Sequence, residues 1–173
     1  AERFAALGGN LVRDDVQGFD FNDGKVIAVR TSTESLAAQD VVIAAGPWSR
    51  KLVRMLGTDI PLDTERGYHV TVADSDIDLR DTLMETTGKF MATPMEMGLR
   101  FAGTVELARV DAPPDYRRAD IIARAAKRMF PTLDTSSVSQ WMGQRPSLPD
   151  GLPVIGPAPG HANRSEEHTS ELQ

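Results

Sequence analysis

Cysteine is absent from the 173 residues. That excludes disulfides, thiol nucleophiles and thiolate metal sites together, and it is compatible with a reducing cytoplasm. Histidine is scarce, with three scattered along the chain, too few for a persuasive metal site. Positive charge is in deficit: 19 Lys+Arg against 25 Asp+Glu give a net charge of -6 and a pI near 5.0. The basic surface that nucleic-acid phosphates demand is therefore not expected, and the pairs Arg117-Arg118 and Lys127-Arg128 have acidic residues among them. No apolar run approaches the roughly 18 residues that span a bilayer, so no integral membrane segment is expected. No signal peptide is visible at the start. Catalytic signatures are missing too: there is no G-x-S-x-G, no H-E-x-x-H and no P-loop. Gly8-Gly9 before Asn10 is not a G-x-G-x-x-G, and Asp14-Asp15 or Asp74 with Asp76 read as solvated turn carboxylates.

What remains is an ordinary globular composition, 40% hydrophobic and 25% charged, with a legible order of elements. Residues 1–7 read as a helix already under way at Ala1 and closed by Gly8-Gly9, so a start further upstream is expected. Residues 11–16 and 19–21 are spaced as short strands, with Asn22-Asp23-Gly24 as the turn into a return strand carrying Val26, Ile27 and Val29. The apolar run Val41 to Ala45 predicts a strand buried on both faces. Gly46-Pro47-Trp48 breaks it, with Ser49 as N-cap of a helix over 50–56. Beyond Pro61 the pattern changes. Residues 68–72, 89–92 and 99–102 read as antiparallel strands. Asp115 caps a helix whose inward face is Ile121, Ile122, Ala125 and Met129, and Phe130-Pro131 ends it. Residues 138–141 predict another strand, and 146–160 a Pro/Gly-rich loop. The fold class expected is α/β, becoming α+β in the second part.

Five words in order carry a family resemblance: VVIAAGPWS (41–49), LG (56–57), IPLDTERGYHV (60–70), GLRFAGTVELA (98–108) and WMGQRPSLPDGLPVIGPAP (141–159). The chain resembles FAD-dependent oxidoreductases of the D-amino acid oxidase-like family, the group of D-amino acid dehydrogenase, glycine oxidase and sarcosine oxidase. The resemblance implies part of a Rossmann-like FAD-binding domain over 1–60 and an antiparallel-sheet substrate domain with a helix over 61–140. A return to the FAD-binding domain over 141–163 is implied next. Residues 164–173, RSEEHTSELQ, resemble the in-frame translation of a sequencing adapter and read as a non-native tail.

The same resemblance implies FAD as cofactor and assigns residues to it. Ala44, Ala45 and Gly46 would offer backbone to the flavin nucleotide, Val16 would meet its adenine end, and Gly156 would lie beside the flavin. Arg145, in W-x-G-x-R-P, would clamp a substrate carboxylate, a task suited to a planar guanidinium; its alternative is a salt-bridge arginine. Tyr68 would orient substrate or simply pack within the sheet, His69 reads as a structural histidine, and Arg100 as a residue equally able to face solvent. No catalytic acid or base is assigned, because the implied chemistry is hydride transfer from the substrate α-carbon to the flavin, giving an imine that water hydrolyses. The implied substrate is a D-amino acid or related amine, and the acceptor oxygen or a quinone chain. The implied location is the cytoplasm, with peripheral attachment to the inner membrane as a variant. A same-fold glycerol-3-phosphate type dehydrogenase and a non-catalytic small-molecule-binding module are the competing readings. The G-x-G-x-x-G unit and a glycine-rich C-terminal segment are missing, so the chain alone is expected to bind FAD poorly and to catalyse nothing.

Overall fold

A computed structural model describes residues 2–158 and, as backbone, 164–168. Ala1, residues 159–163 and 169–173 lie outside the described residues, and with them the end of the expected 146–160 loop and half of the adapter-like tail. The chain forms two compact units, one from residues 2–61 with 152–158 and 164–168, the other from 62–151.

The first unit opens with helix α1 (Glu2–Ala6), which stops where Gly8 takes φ +86. Strands β1 (Val16–Asn22), β2 (Lys25–Thr31) and β3 (Ser35–Ala37) form one antiparallel sheet. Its tight turn is the expected one. Asp23 and Gly24 both take positive φ, +48 and +74, the pair of left-handed residues that lets a two-residue hairpin follow the twist of its strands. Residues 11–15, expected as strand, are irregular. Asp14 instead binds the Thr33 hydroxyl and backbone N–H and shapes a loop.

Strand β4 (Val41–Ile43) is shorter than its apolar run and buried on one face only: Val41 and Ile43 are buried, while Val42 is 60% exposed. A short 3-10 turn (Gly46–Trp48) leads directly into helix α2 (Ser49–Met55). Ser49 is thus not an N-cap. The 3-10 turn shifts the helix start, and the buried Ser49 hydroxyl instead accepts the Ala45 N–H (3.0 Å).

The second unit is one antiparallel sheet with a helix on one face. Its strands are β5 (Asp63–Val72), β6 (Leu83–Glu85), β7 (Phe90–Met95), β8 (Gly98–Leu107) and, after helix α3 (Arg117–Met129), β9 (Ser139–Ser147). Their order is β6-β7-β8-β5-β9. Side chains alternate across a strand, and in β5 Thr64, Arg66, Tyr68, Val70 and Val72 point to the helix side. Val70 and Val72 join Phe90, Ala92, Leu99 and Phe101 beneath Ala119, Ile122, Ala125 and Ala126 of α3. Ile121, expected inward, is 50% exposed; Ala119 and Ala126 take its place, because the buried stripe is rotated toward the small residues that let the helix approach. Asp115 binds the first-turn N–H of Arg117 (3.2 Å), as a capping carboxylate does, although the residue bounding the helix is Tyr116.

The return to the first part, expected from residue 141, begins later. Residues 141–147 continue β9, which pairs with β5 from Asp63↔Ser147 to Thr71↔Ser139. The chain re-enters the first unit through β10 (Val154–Pro157), which pairs with β11 (Arg164–His168); β11 in turn runs parallel to β4. Residues 164–168 of the adapter-like tail therefore form a strand. Pairing of this kind uses only backbone N–H and C=O groups, so an unpaired ladder such as that of β4 accepts an extended segment whatever its origin.

Candidate functional site

In the first unit the turn after β4 is fixed by short-range bonds. Gly46 takes φ +52, a conformation side chains disfavour. The Trp48 N–H donates to the Ala45 carbonyl (3.1 Å), and the Ala45 N–H donates to Ser49 Oγ. This holds Ala45 and the exposed Trp48 at the rim of an open cleft of about 530 Å³, which Asp15, Val16, Lys51 and Leu52 also line. Val16 enters as the first residue of β1, just before an irregularity in the register between Val16 and Gly18. Asp14, at the same cleft, is committed to its own loop: bonds from Thr33 and then Thr31 hold its carboxyl well below the usual range. Lys51 is the single cation among the lining residues. Gly156 stands on β10, and no atom lies within 4 Å of the place where a Cβ would sit at either Gly46 or Gly156.

In the second unit the strand alternation separates residues that are neighbours in the sequence. Tyr68 points into the core and is 1% exposed. Its hydroxyl donates to Glu106 Oε2 (2.6 Å) and accepts the Asp115 N–H (2.9 Å). Beside it Arg66 is wholly buried. Its guanidinium donates to the carbonyls of Arg109 (2.6 Å), Pro113 (3.0 Å) and Ala112 and faces Glu106 at 3.5 Å. Arg118 approaches the same carboxylate at 3.6 Å. Tyr68 is thus a structural residue here, tying β5 to the loop before α3, and of its two readings the packing one matches this placement.

Among the described residues of the second unit, the opposite face of the sheet carries no helix. In register across β8, β5 and β9 it presents Arg100 with Thr71, then Ala102, His69 and Trp141, then Gly67 with Gly143, then Glu65 with Arg145. The Trp141 indole is stacked on the His69 imidazole, ring centroids 4.9 Å apart at 24°. Burial first, and then the Arg100 charge, push the imidazole below its ordinary range. Arg145 leans along the face so that its Nη2 would stand 3.1 Å from a Cβ at Gly67. Glu65, directly opposite it, accepts the Ser147 hydroxyl instead (3.1 Å). Among the described residues the exposed Arg145 guanidinium has no hydrogen-bond or ion-pair partner. Arg100 has none either, and its Nε is buried without one.

The family described as "FAD dependent oxidoreductase" matches residues 1–168. The chain belongs to this family of FAD-dependent oxidoreductases. It is 40% identical over 171 residues to a D-amino-acid oxidase of Bradyrhizobium diazoefficiens, covering 96% of this chain and 40% of that relative. It is 31% identical over 147 residues to a glycine oxidase of Pseudomonas putida, covering 84% and 40%. The chain thus spans about two fifths of the length of these curated relatives. A solved glycine oxidase from Geobacillus kaustophilus superposes with a TM-score of 0.80 over 96% of this chain and 45% of that one; at 21% identity the likeness shows the fold alone. Among the described residues no helix is long and apolar enough to cross a membrane.

The first unit of this FAD-dependent oxidoreductase chain fits its family's cofactor in the terms the structure provides. Val16 and Ala45, far apart in sequence, line one cleft; Ala44, Gly46 and Gly156 leave the space beside their backbones open or nearly so. Trp48 and Lys51 stand in that cleft too, although the motif reading assigns them no role. Their signal in the sequence is their position in the first turns after the glycine, on the same side as Ala45. His69 and Arg100 carry a comparable signal. Alternation counted from the buried Val70 and Phe101 puts both on the open face, with Arg145.

Proposed function

We propose that the chain is part of a flavoenzyme that oxidises the C–N bond of a D-amino acid or related amine. FAD, when bound, supplies the hydride acceptor. Val16, Ala44, Ala45, Gly46 and Gly156 hold it through their backbone, and Arg145 receives the substrate carboxylate. The observation that carries this reading is the Arg145 guanidinium, exposed and unpartnered on a sheet face and lying over a glycine. A fork of this kind binds a planar carboxylate bidentately and stays charged at any working pH. Fixing the carboxylate fixes the α-carbon next to it, and positioning of that kind lowers a barrier without any protein acid or base.

A phosphate ester, the substrate class of the glycerol-3-phosphate reading, calls for converging cations. Arg100 and Arg145 stand opposite Thr71 and Glu65 of the same strand, six residues or about 20 Å apart along it. They do not converge on one group. The acceptor we propose is oxygen or a quinone chain. A cytoplasmic site, with peripheral attachment to the inner membrane for a quinone-linked enzyme, belongs to the same proposal, and the lack of cysteine is compatible with it.

The test is anaerobic titration of the full-length enzyme carrying this chain with D-amino acids and N-methylglycines, following the flavin absorbance. One substrate class is expected to bleach the band, and Arg145→Met to raise its half-saturation about 10- to 100-fold, the loss of one charge-assisted hydrogen-bonded pair. A yellow enzyme that none of these amines reduces overturns the proposal. The chain by itself is expected to be colourless once it has been incubated with FAD and the free cofactor has been removed by dialysis.

A further inference from the structure

The open face of the second unit holds a second recognition element that Arg145 does not account for. His69 and Trp141 are cross-strand partners, and their rings are stacked. One face of the imidazole is thereby covered and its plane fixed, while no hydrogen bond to either ring nitrogen forms among the described residues. A polar ring held in place with its nitrogens unused differs from the ordinary structural histidine, whose nitrogens are spoken for. The Arg145 guanidinium leans over Gly67, two residues before His69 on β5. Two residues along a strand are about 7 Å. Two hydrogen bonds of about 2.9 Å with one α-amino carboxylate between them span a similar length. Gly67 matters to this arrangement because a side chain there would occupy the space next to the guanidinium.

We propose that His69, on its Trp141 platform, contacts the amino group of the substrate anchored at Arg145, accepting a hydrogen bond from the neutral amine. The proposal rests on the amino-acid reading above and names the residue that distinguishes an amino acid from a plain carboxylate. No bond is made or broken in this step: the amine N–H donates to an imidazole nitrogen, and the amine lone pair stays free to support hydride loss from the α-carbon. The charges that face His69 support the neutral form of both partners. Arg100 from β8 and Arg145 from β9 are cations, and of the two carboxylates on the same face of its own strand Glu65 accepts the Ser147 hydroxyl and Asp63 accepts the Thr64 N–H. An ammonium group entering beside the Arg100 charge is repelled, and burial together with that charge favours the uncharged imidazole.

The test compares ligands that have and lack the amine in full-length holoenzyme carrying His69→Phe, His69→Gln and Arg145→Met. Flavin reduction by the amino acid is read as KM and kcat against pH, and binding of an unreactive carboxylate is read by the flavin spectrum. The expected result for His69→Phe is a loss of about 10- to 100-fold in kcat/KM for the amino acid, within the range of one lost hydrogen bond, with carboxylate binding unchanged. The acid limb of the kcat/KM profile assigned to His69 should vanish, and His69→Gln, which keeps an acceptor, should restore part of the loss. Arg145→Met should weaken both ligands. Equal losses of amino acid and carboxylate in His69→Phe, or no loss of either, overturn the proposal while leaving the amino-acid reading intact. A wild-type enzyme that no amino acid reduces overturns both.

Discussion

The two units of this chain are built from opposite kinds of sequence. The second is one continuous stretch, 62–151, whose five strands and single helix enclose a shared core from Tyr68 to Leu133. The first joins residues 2–61 to 152–158 and 164–168 and divides its strands between two three-stranded sheets, with Phe19, Val26, Val41, Ile43, Val53 and Leu56 among its buried apolar residues. Their candidate sites differ accordingly. In the second unit Arg145, His69 and Trp141 stand on a sheet whose other face is closed by a core, so their spacing is set by ladder geometry. In the first unit Val16, Ala45 and Trp48 meet at a cleft shaped by a loop and a turn. Rigid ladders fix side chains to suit a small substrate, while a turn that offers backbone and small residues suits a large cofactor gripped along its length.

The chain carries one tryptophan in each unit, Trp48 and Trp141, so single-tryptophan forms report on each separately. The largest effect is expected from Phe101→Ala. Its side chain is fully buried against Phe90 and Phe130, and its loss should destabilise the second unit by about 3–5 kcal/mol. Denaturant unfolding should show the Trp141 transition moving while that of Trp48 holds; joint movement would mean that the two units unfold as one. Next comes Arg66→Met, expected to cost about 3 kcal/mol because Glu106 loses a buried cation and three carbonyls lose their donor. Thermal unfolding followed at Trp141 measures it, and an unchanged midpoint would show that the bonds from Arg66 to the loop before α3 contribute nothing. The smallest effect is that of pH on the second unit. His69 has a folded pKa below its unfolded value, so its contribution to stability is complete above the ordinary imidazole range. It is lost as pH falls from there toward the folded value, because only the unfolded chain then gains the proton readily. Protonation should also quench the stacked Trp141 emission, with a midpoint below 6.5; a midpoint above 6.5 would contradict the burial and the Arg100 charge as causes.

Some of the site is legible in the residues alone. The hairpin at Asp23-Gly24, the strand–glycine–helix unit from Val41 and the amphipathic helix ending at Met129 each follow from local chemistry, in which turn residues and apolar spacing act within a few positions. Arg145 stands out through its motif, and its side chain is exposed and unpaired among the described residues. The sequence misleads where one element depends on another. Ser49 has the chemistry of a cap, yet its hydroxyl is drawn into the turn because Ala45 needs an acceptor. Val42 is exposed although its run looks buried on both sides. Residues 141–147 belong to the second unit, and nothing local distinguishes a strand that continues a sheet from one that leaves it.

The sequence by itself determined the family, the α/β then antiparallel order of elements and the identities of the proposed carboxylate clamp and the glycine turn. Those are properties of residue type and short spacing. Only the tertiary structure decided that Tyr68 is spent on Glu106 and a backbone amide while its neighbour His69 lies on the open face beside Trp141. Adjacent residues of a strand point to opposite sides, and which side is covered depends on where a helix forty-eight residues further on comes to rest.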